Sequence, residues 1–150
     1  YNSSAHNQCK EFINKTYDIA DFLVNVVNKT AFTAILIGKA VLVENRGIRN
    51  LYNQRKELTE LLSHVKGLEL IEIPEFETLP GSDIHFTNDF TPIADDILKR
   101  FLQRILHLNT EIVISNDMRT ILNIESYCRK QNISIKCMHI ADVLTHDKND

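Results

Sequence analysis

Apolar side chains recur at three- and four-residue steps from Cys9 through Phe12, Ile13, Tyr17, Ala20, Leu23, Val24 and Val27, which lays one stripe along a helix. Ser3 or Ser4 could cap its start. A second reading breaks the segment near Thr16. Asp18 is then an N-cap with Asp21 three residues on, like a capping box, and Ile19, Phe22, Leu23, Val26 and Val27 form the buried face of a shorter helix. The pattern alone leaves both open. Residues 33–37 are rich in β-branched side chains and predict a strand ended by Gly38. Val43, Ile48, Leu51, Tyr52, Leu58, Leu61, Leu62 and Val65 give helical periodicity across residues 39–66, interrupted at Gly47, with Gly67 suited to a C-cap. Residues 68–73 predict a strand stopped by Pro74.

Residues 75–92 hold two prolines and Gly81 and form the one long loop, a feature that in compact domains tends to be functional or mobile. After it come a helix over residues 93–108, a strand over 111–115, a helix over 118–130 and a last strand over 133–140. A short turn and a polar tail over 142–150 close the chain. Strands alternating with helical segments predict an α/β three-layer sandwich around a mostly parallel central sheet. At 150 residues this is one domain, large enough to bury roughly two-thirds of its unfolded surface.

Composition changes that picture little. Hydrophobic content is 43%, charged content 25% and net charge −3, which argues against a global positive field for nucleic acid while permitting a local basic stripe. No apolar run reaches transmembrane length and no signal-peptide pattern opens the chain. The start at Tyr1 suggests excision from a longer protein. Cys9, Cys128 and Cys137 have neither disulfide-framework nor zinc spacing, so free thiols in a reducing, intracellular setting (cytoplasm or nucleus) are expected. Sequons at Asn2, Asn14, Asn28 and Asn132 read as chance matches in an Asn-rich chain.

The candidate chemistry lies at element boundaries. In an open parallel sheet, ligands bind beyond the carboxyl ends of the strands. Glu44 follows an apolar run, Asp95-Asp96 opens a helix, and Ser115-Asn116-Asp117 ends another apolar run. At 100° per residue, Asp95 flanks the stripe of Leu98, Phe101, Leu102, Ile105 and Leu108, while Asp96 lies nearly opposite it. Each acid also has a plainer role: helix-dipole partner for Asp95 or Asp96, solvated first-turn residue for Glu44, N-cap for Asp117. The histidines at 64, 85, 107 and 139 show no metal-ligand spacing, and no Gly-rich phosphate loop follows a strand.

Taken in order, these acids resemble the PIN domain family of metal-dependent ribonucleases. Ile35-Leu36-Ile37 with Lys39-Ala40-Val41-Leu42-Val43-Glu44-Asn45 is similar to that family's second strand and Glu-bearing helix. Asp95-Asp96-Ile97-Leu98 resembles its third acidic position, and Ile112-Val113-Ile114-Ser115-Asn116-Asp117 its fourth. The first acid falls on Asp18, after a poor strand sequence, and Gly38 stands where the family often has proline. The resemblance implies an endoribonuclease, a hydrolase acting on single-stranded RNA with Mg²⁺ or Mn²⁺ held by Glu44, Asp95 and Asp117, and with Asp18 as a further catalytic acid. Hard cations prefer carboxylate oxygens and neutralise charge on attacking and leaving oxygens. Ser115 and Asn116 would position water or ligand, and Arg46, Arg49 and Arg119, with Arg55 and Lys56, would line the RNA path. As a plainer alternative, the arginines are a solvated helix face.

Two other functional readings stand beside the nuclease. One is a PIN-like or Rossmann-like module without catalysis, mediating protein or RNA interaction in a larger assembly, with protein partners reached through a longer parent chain. The other is a ligand-binding regulatory domain whose loop at residues 75–92 frames a small-molecule pocket.

Overall fold

A computed structural model describes residues 3–45, 53–79, 86 and 89–146. Helix α1 covers Ser3–Ile13, and after a break a short helix α2, Ile19–Asp21, widens into a π turn at Phe22–Val26. Strand β1 is Ile35–Leu42, β2 is Glu44–Asn45, and α3 is Arg55–Ser63. Strand β3 is Lys66–Leu70, followed by a 3₁₀ turn at Pro74–Phe76 and β4 at Thr78–Leu79. The remainder alternates: α4 Thr91–His107, β5 Ile112–Ser115, α5 Met118–Gln131, β6 Lys136–His139 and α6 Ile140–Thr145.

The main sheet is four-stranded and parallel, in the order β3-β1-β5-β6. The alternation of side chains across a strand explains why both faces are covered. Ala40, Leu42, Ile112 and Ile114 point to one face and pack with Leu58, Leu61 and Leu62 of α3 and Val143 and Leu144 of α6. Val41, Val43 and Val113 point to the other, against Leu98, Phe101, Leu102 and Ile105 of α4 and Ile124 and Tyr127 of α5. The result is the three-layer α/β sandwich that the alternation of elements predicts. Beside it, β2 and β4 form a small parallel pair, Glu44 opposite Thr78. Among the described residues no helix is long and apolar enough to cross a membrane.

Four local readings need correction. Gly38 does not end β1: its φ of +144° suits only glycine, and a bulge between Ile35 and Gly38 carries the strand onward. A Cβ there would meet Ile112 Cδ1 at 3.1 Å. Residues 39–42 are therefore strand, not helix, and the apolar run is continuous because the strand is buried on both faces. Gly67 lies inside β3 at φ +84° rather than capping α3, whose C-cap is His64. Finally, Asp18 does break the N-terminal helix, accepting from Ala20 N at 3.0 Å, but the buried face is Ala20 with Leu23 and Val24. Of the expected face only Leu23 packs inward; Ile19, Phe22, Val26 and Val27 are open to solvent, with Phe22 at 44% and Val27 at 45%. Residues 12–18 form no strand.

Candidate functional site

The site follows from topology. The chain leaves β1 toward α3 on one face of the sheet and leaves the adjacent β5 into α5 on the other. Neighbouring strands whose exits diverge in this way open a crevice at their carboxyl ends, the topological switch point where open α/β sheets hold ligands. Leu42 pairs with Ile114 in the last shared register, and Val43 N donates to Ile114 O at 2.9 Å. Glu44 and Asn116 each lie two residues beyond this pair, at the carboxyl ends of β1 and β5.

Glu44 is a deeply buried carboxylate. Arg55, at the head of α3, donates Nη1 to Glu44 Oε2 at 3.1 Å and to Leu42 O at 3.5 Å, and its Nε lies 3.6 Å from Glu77 Oε1. A charge taken out of water needs such a partner. One guanidinium thus ties the end of β1, the start of α3 and the turn before β4 together. Across the crevice Ser115 is wholly buried, its hydroxyl accepting from Asp117 N at 3.2 Å. Its register partner on β6, His139, accepts at Nδ1 from Ala141 N at 3.2 Å and so caps α6.

Two oxygens at this end of the fold stand out. Among the described residues Asn116 Oδ1 and Gln54 Oε1 are buried without a hydrogen-bond partner, in residues 9% and 5% exposed. Buried acceptors are nearly always paired, so an orphan asks for a donor, whether water or a ligand hydroxyl. Gln54 occupies the N-cap of α3 without its side chain capping, which leaves the first N–H groups of that helix without a side-chain cap.

The sequence-predicted acids are held in other ways. Asp117 is the N-cap of α5, accepting from Thr120 N at 3.1 Å, Thr120 Oγ1 at 2.9 Å and Arg119 N at 3.4 Å. Asp18 caps α2, and Glu44 is bound to Arg55. Asp96 pairs with Arg100 at 2.8 Å on an exposed helix face. Asp95, partly buried, acts on Tyr127: burial chiefly, then the carboxylates of Asp95 and Asp96, hold that phenol above its ordinary value. Tyr127 lies ten residues beyond Asp117 along α5, about 15 Å at the helical rise.

Among the described residues no group of three or more His, Cys, Asp or Glu side chains is placed to hold a metal ion. Asp18 and Asp117 serve as helix caps and Glu44 pairs with Arg55, so these three carboxylates already have partners within the chain. Arg119 is exposed next to the α5 cap; Arg46 and Arg49 lie outside the described residues. Gln54, Glu77 and His139 were not legible as site residues, because only the sheet order brings their elements to one edge.

No protein-family model matches the chain, and no solved structure matches it. Its similarity is to lactate utilization proteins A. That of Bacillus subtilis is 31% identical over 138 residues, 92% of this chain and 58% of the relative. That of Halalkalibacterium halodurans is 29% identical over 141 residues, 94% and 58%. A lactate utilization protein A 2 of Bacillus cereus is 26% identical over 147 residues, 98% and 61%. The chain spans about three-fifths of the length of these curated relatives. These matches overturn the PIN resemblance, and with it the endoribonuclease, the hydrolase chemistry, the RNA substrate and the inactive PIN-like or Rossmann-like interaction module. The acids that carried the resemblance recur at strand ends because capping and charge pairing also favour carboxylates there.

Proposed function

We propose that this chain serves in lactate utilization, with the β1/β5 crevice as its working site. The observation that carries the reading is the 31% identity over 92% of the chain to a lactate utilization protein A. The crevice offers compatible chemistry. A 2-hydroxycarboxylate brings a hydroxyl donor for the orphan oxygens of Asn116 and Gln54, and its carboxylate can turn to the first-turn N–H groups of α3 or to Arg119. Three free cysteines favour a setting inside the cell.

Disruption of the gene in its own host tests the reading. Growth on lactate as sole carbon source is expected to fail, growth on glucose to persist, and a plasmid copy to restore the first. Unchanged growth on lactate would refute it.

A further inference from the structure

Helix α1 is exposed along every described side chain, residues 5–13. Its apolar face is large: Phe12 is 72% and Ile13 67% exposed, and together with Ala5 and Cys9 they line an open hollow of about 500 Å³. Beyond the break Tyr17, Phe22, Val26 and Val27 are each more than two-fifths exposed, with the Tyr17 and Phe22 rings 6.2 Å apart. An eleven-residue helix is marginal in water by itself and draws its stability from packing an apolar face. Large apolar side chains exposed in this number mark a surface that another body covers.

The relatives indicate which body. The match to the Bacillus cereus protein takes in all but three residues of this chain, so α1 and the π turn belong to the shared part. Some two-fifths of each relative lies outside that part. We propose that the exposed apolar side chains from α1 to Val27 are the seat of a polypeptide equivalent to the relatives' unmatched two-fifths. The proposal rests on the match and the exposed face, and does not depend on the lactate reading.

Cys9 lies in the hollow as an exposed free thiol and reports directly on cover. The experiment compares alkylation of Cys9, followed by peptide mass spectrometry, in the 150-residue chain and in the Bacillus subtilis relative with its matched stretch replaced by this chain. Labelling is expected to slow at least tenfold in the chimera, with the chimera monomeric by sedimentation. Equal rates overturn the proposal. So does a concentration-dependent dimer of the chain alone that already protects Cys9, since the occupant is then a second copy. If the chimera does not fold, the chain is instead co-expressed with the unmatched part. Co-purification that Phe12→Glu abolishes, with the melting temperature of the chain unchanged, supports the proposal; failure to co-purify overturns it.

Discussion

Replacing Arg55 with alanine tests the electrostatic account of the crevice. The change leaves Glu44, whose side chain is 2% exposed, without the guanidinium that meets it at 3.1 Å. Removing one partner of a buried pair costs about 3–5 kcal/mol. Arg55 itself is 17% exposed, and Glu44 has further interactions, so the lower end applies. A loss of about 3 kcal/mol corresponds to roughly 6–12 °C in Tm for a chain of this size. Glu77→Ala breaks the longer, 3.6 Å contact of Arg55 with a carboxylate 34% exposed, a contact worth about 0–1 kcal/mol. The double variant Arg55→Met with Glu44→Met removes both charges and is expected within about 1 kcal/mol of the parent. Thermal melts followed by circular dichroism rank the three. Arg55→Ala melting within 2 °C of the parent (roughly the shift for under 1 kcal/mol), or no lower than Glu77→Ala, would refute the reasoning.

Four further outcomes are expected. Asp117→Ala removes the α5 cap and should cost about 1–2 kcal/mol in urea unfolding, whereas Asp117→Asn retains most of it; equal losses would count against a capping role. Thr110, wholly buried at the amino end of β5 with a hydroxyl unpartnered among the described residues, should tolerate Thr110→Val without loss, or with a gain of up to about 1 kcal/mol in the same assay. Burial pushes the Cys137 thiol up to about 12 and raises that of Cys128, so native labelling at about pH 8 should find one fast thiol, Cys9, and denaturant should release the other two. By the same linkage the unfolded chain gives up its thiol protons first, and stability should fall as pH climbs from about 9 toward 12.

The layer architecture was legible because alternation of strand and helix patterns is a local signal, and α4, β5, α5 and β6 sit within a few residues of where the pattern places them. Residues 39–42 were not, since a strand buried on both faces loses the period-two mark that separates it from a buried helix. The N-terminal segment misled for the opposite reason: Ile19, Phe22, Val26 and Val27 are spaced as a core stripe but face solvent in this chain. At the site, Ser115 ends a strand and Asn116-Asp117 follow it in both readings, so the position was readable and its chemistry was not. Asp117 is spent on a cap, and the residue left with an unmet hydrogen bond is its neighbour Asn116. Arg55 reads as one of several basic residues on a helix until the fold sets it against the buried Glu44.

If the β1/β5 crevice works in lactate utilization, Asn116→Leu should disable it. Asn116 Oδ1 has no partner to lose, so the variant should fold with the parent's Tm. Lactate consumption is measured in disrupted cells carrying either the parent gene or this variant at matched protein levels. The parent gene is expected to restore consumption, and Asn116→Leu is not. Equal consumption by the two would contradict it.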